Sequence, residues 1–279
     1  MSSEKPFFGL LFLTNDHSFE SKSTKPFVPV HLYAYRNIYF MDSAQILHDE
    51  NMQVTALGFY DVQAQNIVST IHIPGVVQDI TGSGNKAFVS SYYPPQVAIE
   101  DKLPEKKSNI YEVDLDTKAI RPIFKEDQKY VPLRIISGGP YIYGIFQGES
   151  ADFLPKDAPK NILVKIDPKT GTLLNQVKLL PYAKDLVLSS DGRNIFVTHF
   201  EKLASATPIS VPISRVSTET FDVKEVTGNF RACSIVSMNG KIYVGDELNQ
   251  QLTVIDEQTL RIEKTIPVKL SAIYLSKTE

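Results

Sequence analysis

The groups in this 279-residue chain that could do chemistry are five histidines, one cysteine and a set of acidic side chains beside strand ends. His17, His31, His48, His72 and His199 are scattered, and no two have metal-ligand spacing of the His-Glu-x-x-His kind. His31 and His72 fall within expected strands and read as packing or surface residues. His17, His48 and His199 fall in or beside expected connections, where convergence would make a metal or proton-transfer centre. Asp42, Glu149, Glu201, Asp246 and Glu247 lie next to expected strands, as carboxylates suited to a cation or a polar ligand. Cys233 enters a strand in Arg-Ala-Cys-Ser-Ile-Val and reads as a buried small side chain; a nucleophile would need a histidine partner. There is no Gly-x-Ser-x-Gly and no P-loop. The Asp-Leu-Asp-Thr of 114–117 lacks the glycine and closing glutamate of a calcium loop. Aromatics supply a different chemistry. Tyr92 and Tyr93 precede a stiff Pro-Pro pair, and Phe153 and Phe200 sit in other connections, a composition suited to a recognition surface.

Composition narrows the classes. A net charge of −3, from 29 basic and 32 acidic residues, argues against a nucleic-acid partner, which requires a basic surface. A single cysteine excludes an intrachain disulfide framework and a cysteine-rich zinc site. No apolar run approaches the ~18 residues of a membrane-spanning helix, so no membrane span is expected. The run Phe-Phe-Gly-Leu-Leu-Phe-Leu at 7–13 reads as a β-strand rather than an export signal.

The elements that must position these groups recur as a repeat. Residues 161–174 read Asn-Ile-Leu-Val-Lys-Ile-Asp-Pro-Lys-Thr-Gly-Thr-Leu-Leu, an alternating strand ending in Asp, a polar turn and a second strand. Residues 109–120 and 251–268 repeat it, with weaker copies from 57 and 213. A second element follows each time: Asp-Leu-Val-Leu-Ser-Ser-Asp-Gly-Arg-Asn-Ile-Phe-Val-Thr at 185–198, with relatives at 79–90, 135–144 and 235–245. These are two more strands joined by a tight glycine-containing turn; Gly-Ser-Gly-Asn at 82–85 and Ser-Gly-Gly-Pro at 137–140 are such turns, not phosphate loops. The aspartates ending the strands (Asp114, Asp167, Asp256) are expected to accept hydrogen bonds from amides two or three residues on. Four antiparallel strands, repeated in order with no helical period, define an all-β propeller built from four-stranded blades.

The strings at 161–173, 185–198 and 252–268 resemble the YVTN family of β-propeller repeats, over most of the chain from about residue 54 onward. The resemblance implies an extracytoplasmic protein (secreted, periplasmic or at the cell surface) if an export signal has been removed; the chain as written implies the cytoplasm. It also implies kinship with lactonase-like propellers, which hold a divalent metal with Glu, Asn and Asp at the channel mouth. The Glu-Gly-Pro type of opening motif that accompanies such sites is absent. Asn109, Asn161 and Gln251 resemble the family repeat and are expected to open the innermost strands and bond backbone between blades.

Spacing then locates the variable parts. From each Asp or Ser anchor (Asp61, Asp114, Asp167, Ser217) to the next strand aromatic (Phe88, Tyr143, Phe196, Tyr243) the interval stays between 26 and 29 residues. The return interval varies from 13 to 26 residues, which places insertions near 42–52, 91–108, 146–160 and 199–210, with 14–27 joining them. Read as links between successive blades, these all emerge on one face, where loops on a rigid scaffold carry function. Residues 1–279 are expected to form one propeller of six blades, one of them degenerate, with five blades as the alternative. The strand at 7–13 would pair with the C-terminal segment to close the ring and remove exposed edges. The expected function is noncatalytic binding of a small molecule or a protein at the insertion-bearing face, through Asp42, Tyr92, Tyr93, Glu149, Phe153, His199, Glu201 and Asp246. The alternative is a metal-dependent, lactonase-like hydrolase or lyase at the central channel.

Overall fold

The computed structural model describes residues 9–13, 19–23, 31–49, 52–92, 108–126, 130–148, 161–199, 211–230, 232–246 and 249–267. Among them there is no helix. The chain forms two compact units, Met1–Gln128 and Lys129–Glu279.

In the first unit, β1 (Gly9–Leu13) and β2 (Phe19–Ser23) make a two-stranded antiparallel sheet. Two four-stranded antiparallel sheets follow, each in chain order. One comprises β3 (Leu32–Tyr35), β4 (Ile38–Asp49), β5 (Met52–Asp61) and β6 (Asn66–Pro74). The other comprises β7 (Val76–Ser83), β8 (Lys86–Tyr92), β9 (Ser108–Asp114) and β10 (Ile120–Glu126). Strand β3 lies beside β7, and the two sheets share a core that includes Phe40, Leu57, Ile73, Val77, Val89 and Val113.

The second unit holds three such sheets. The first comprises β11 (Tyr130–Gly138), β12 (Tyr141–Gly148), β13 (Asn161–Asp167) and β14 (Thr172–Lys178). The second comprises β15 (Ala183–Leu188), β16 (Asn194–His199), β17 (Val211–Ser217) and β18 (Val223–Phe230). The third comprises β19 (Ala232–Met238), β20 (Lys241–Asp246), β21 (Gln251–Asp256) and β22 (Ile262–Pro267). Strand β15 lies beside both β11 and β19. The first strand of each sheet is therefore the inner one and the fourth the outer one, as in propeller blades. Burial agrees: residues 195–199 of β16 are all buried, while β14 and β22 are exposed almost throughout.

The turn chemistry matches its sequence reading. Asp61, Asp114, Asp167 and Asp256 each accept amides two or three residues on, at 2.7–3.1 Å, and Ser217 does the same through its hydroxyl.

The grouping of strands differs from the sequence reading by two. The Asp-ending strand is the third of its sheet, not the first, so Asn109, Asn161 and Gln251 open third strands and not innermost ones. The reason is local. The step from one sheet to the next can be as short as a hairpin turn: a single residue, Gly75, separates β6 from β7. It has φ +84°, and a Cβ there would lie 2.8 Å from the carbonyl oxygen of Tyr92, so only glycine makes this step without strain. The regrouping completes the last sheet with β22, so Asp256 does not begin a blade that lacks a strand, and β1 pairs with β2 rather than filling that place.

The insertions move accordingly. They are not links between blades but connections between the second and third strands of one sheet: 93–107, 149–160 and 200–210. Each leaves its own sheet at the end opposite that sheet's tight turns. The 42–52 insertion is no loop at all. Strands β4 and β5 continue pairing through Ile46↔Thr55 to Asp49↔Met52 after a register shift beyond Asp42.

Candidate functional site

Each second strand carries an aromatic anchor: Tyr39, Phe88, Tyr143, Phe196 or Tyr243. Three residues further on, in the last four sheets, the strand nears the end from which its connection departs; in the first sheet β4 runs on to Asp49. The residues there are Asp42, Ser91, Phe146, His199 and Asp246, all buried. In the last four sheets the level is marked by a β-bulge on the facing first strand, between Val77 and Asp79, Pro132 and Arg134, Ala183 and Asp185, and Ala232 and Ser234. Bulges sharpen twist and re-aim side chains near a strand end. Three of the expected site residues thus occupy one repeated position. Asp42 and Asp246 are 3% exposed and His199 is 1% exposed.

Asp42 holds His31. One carboxylate oxygen accepts the His31 backbone N–H at 2.7 Å and the other lies 2.9 Å from His31 Nδ1. A carboxylate only accepts, so Nδ1 carries a proton and donates it. The His31 side chain retains 14% of its exposure. The sequence reading places His31 within a strand as a packing or surface residue; it lies one residue before β3 and pairs with Asp42. Its signal was present: across the Arg36–Asn37 turn, Tyr35 faces Ile38 and Leu32 faces Met41, so His31 must face Asp42.

His199 is tied at both nitrogens. Nδ1 donates to the Pro181 carbonyl at 3.0 Å, and Nε2 accepts the Ser214 hydroxyl at 2.8 Å. Burial pushes its pKa down to about 4, against the opposing effect of the Pro181 and Leu180 carbonyls. Asp246 closes the β20–β21 turn by accepting the Asn249 amide at 2.9 Å and the Asn249 side chain at 2.7 Å. Asn161, at the base of the 149–160 connection, accepts Ala183 N–H from the neighbouring sheet at 3.4 Å, as expected of the residues opening these strands. Its amide nitrogen is buried without a partner.

The inner strands add polar groups that sequence reading passed over. Asp185 ties together the three inner strands of the second unit. It accepts Leu186 N–H at 3.0 Å and Ile235 N–H at 3.1 Å, and lies 3.8 Å from Arg134 Nε. Asp79 accepts Ile80 N–H at 2.9 Å in the first unit. Tyr92 stands one residue beyond the repeated position, opposite Val76. Tyr93, Glu149, Phe153 and Glu201 lie outside the described residues, as do His17 and the side chain of His48. Among the described residues, no group of three His, Cys, Asp or Glu side chains is placed to hold a metal ion. No described helix is long and apolar enough to cross a membrane.

No known family model matches the chain, and no curated protein does. Solved structures do. Hydrazine synthase of Kuenenia stuttgartiensis aligns with a TM-score of 0.66 at 14% identity, over 94% of this chain and 81% of that one. A nidogen/laminin complex chain aligns at 0.55 and 12%, over 92% and 88%. Pyrococcus horikoshii acylaminoacyl peptidase aligns at 0.53 and 10%, over 81% of this chain but only 38% of its own. At such identities the likeness concerns the fold alone. Together with the sheet layout it points to a β-propeller. The matches include both enzymes and a protein complex, so binding and catalysis are equally compatible with the fold.

Proposed function

We propose that the chain is a noncatalytic ligand- or protein-binding propeller, acting through the sheet ends that bear the long connections. The β1–β2 hairpin is read as the degenerate sixth blade beside five complete ones. One observation carries the functional reading. The polar residues at the repeated position are committed to anchoring: Asp246 bonds Asn249 in its own turn, and His199 bonds Ser214 in its own sheet and Pro181 in the link before it. Recognition then falls to the connections themselves, with Tyr92, Tyr93, Glu149, Phe153 and Glu201 as the contact residues and Asp42, His199 and Asp246 as their supports. The test replaces residues 93–107 with the short sequence Glu-Leu-Asn-Gln that joins β20 to β21. A small molecule or peptide that binds the parent chain in a solution screen should lose at least about a hundredfold in affinity, with the melting temperature retained. Unchanged affinity rejects the reading.

A second reading, a lactonase-like hydrolase or lyase with a divalent metal, is favoured by the Asp42–His31 pair, in which a buried carboxylate orients an imidazole as acid–base centres do. It predicts bound metal in the purified protein and lactone hydrolysis that His31→Gln abolishes.

A further inference from the structure

A polar cleft of about 440 Å³ opens at the other end of the second unit's sheets, among the tight turns. It lies between the β15–β18 and β19–β22 sheets. Ser190, Asp191, Arg215, Lys241, Asp256 and Glu257 are among its lining residues.

Its position has a counterpart one sheet earlier. Lys165, opposite Tyr143 on β13, and Arg215, opposite Phe196 on β17, occupy the same register. Lys165 donates to the Thr218 carbonyl in the next sheet's turn at 3.2 Å and lies 4.1 Å from the Tyr141 ring centroid, which stitches the two sheets together. Thr218 and Glu257 are equivalent residues. Each donates its amide to the turn joining the first two strands of its own sheet, Thr218 to Arg193 O at 2.9 Å and Glu257 to Gly240 O at 3.1 Å. Arg215 does not repeat the stitch. Its guanidinium has no hydrogen-bond or ion-pair partner among the described residues, and the cleft occupies the place where the stitch would be.

The other charges of the lining are engaged. Asp256 accepts Lys241 at 2.8 Å, which together with the Thr259 amide and hydroxyl holds its carboxyl well below the usual range. Lys241 also reaches Glu263. Glu257 accepts Ser190 N–H at 3.2 and 3.1 Å and the Ser190 and Ser237 hydroxyls. Asp191 accepts the Ser189 hydroxyl at 2.7 Å and the Arg193 amide at 3.0 Å. The one uncommitted charge among these described groups is a planar guanidinium, whose fork matches a carboxylate. The rim around it bears carboxylates with lone pairs to spare, so a ligand carrying only negative charge meets repulsion.

We propose that this cleft binds a small zwitterion of the amino-acid type, with its carboxylate on Arg215 and its ammonium among Asp191, Asp256 and Glu257. The site is independent of the connections at the opposite sheet ends.

The test titrates the parent chain with the twenty common amino acids by solution NMR, then follows the tightest as its methyl ester and its N-acetyl derivative, with inorganic phosphate as a dianion control. Losing either charge should weaken binding at least about tenfold. Arg215→Gln should do the same with an unchanged melting temperature, and Arg215→Lys should recover part of the affinity. Absence of binding by any amino acid at about 10 mM, the weak limit of such recognition, overturns the proposal. Affinity indifferent to Arg215→Gln overturns it too. Phosphate binding as tightly as the best amino acid overturns the zwitterion. The 93–107 replacement should leave this binding intact, so the two sites fail separately.

Discussion

Asp42 and His199 hold the same place in their sheets, three residues past the strand aromatic, and use it in opposite ways. At Asp42 an acid on the second strand holds a histidine that precedes the first, through the histidine's backbone N–H and its Nδ1. At His199 the base itself is on the second strand, and a carbonyl and a hydroxyl occupy both its nitrogens in a site 1% exposed. One backbone position therefore serves two ends. Two buried partners make His199 a structural post, whereas His31, held by Asp42, keeps part of its side chain exposed.

The largest expected effect is on the closed site. His199→Ala leaves the Ser214 hydroxyl and the Pro181 carbonyl without partners and opens a cavity, and should cost about 3–4 kcal/mol in urea unfolding. A cost below about 1 kcal/mol would show that water repairs the site and that His199 is not a post.

Acid should separate the sites next. Folded His199 stays neutral down to about pH 4, while a histidine in the unfolded chain takes a proton near its ordinary value of 6.5. Between those values unfolding binds a proton, so stability is fully present above pH 6.5, falls as pH drops through the window and levels off below 4. The total loss attributable to this group is up to about 3 kcal/mol. Parallel stability curves for the parent and His199→Leu across that window would remove the assignment.

At the open site the effects are smaller. Asp42→Asn keeps the volume but replaces a charged acceptor, and should cost about 1–2 kcal/mol. The sharper readout is nitrogen NMR of His31: the parent should show the Nδ1–H tautomer, and Asp42→Asn a mixture. An Nε2–H ring in the parent breaks the contrast between the two sites. The smallest difference concerns the two cations in one register. Lys165→Met should cost about 1 kcal/mol through its lost carbonyl bond and ring contact. Arg215→Met should stay within about 0.5 kcal/mol, as for a residue without partners. Equal costs would mean that Arg215 has a structural task.

Local chemistry was legible from residue order. Asp114, Asp167 and Asp256 at their strand ends cap the turns as expected, and Asp61 does the same, because an Asx turn is decided within four residues. The glycine turns at 84–85 and 139–140 join strands as read. The phase was not legible. A one-residue step between sheets and a two-residue hairpin turn look alike along a chain, so the strand beginning each sheet could not be told from the third. The 42–52 segment misled for a related reason: surplus residues lengthen a hairpin as readily as a loop, and only cross-strand pairing separates the two.

The candidate residues divide along the same line. That Asp42, His199 and Asp246 each stand three residues beyond a strand aromatic is a property of the sequence, and it alone determined that they share a level in their sheets. Whether such a residue is spent or available was decided by groups distant in the chain. Ser214 and Pro181 close the His199 site, Asp185 binds the inner strands through Ile235, and the missing counterpart of the Lys165–Thr218 bond leaves Arg215 facing a cleft. Hydrogen-bond satisfaction depends on partners brought by packing within a few ångströms, and no local pattern encodes which of them arrive.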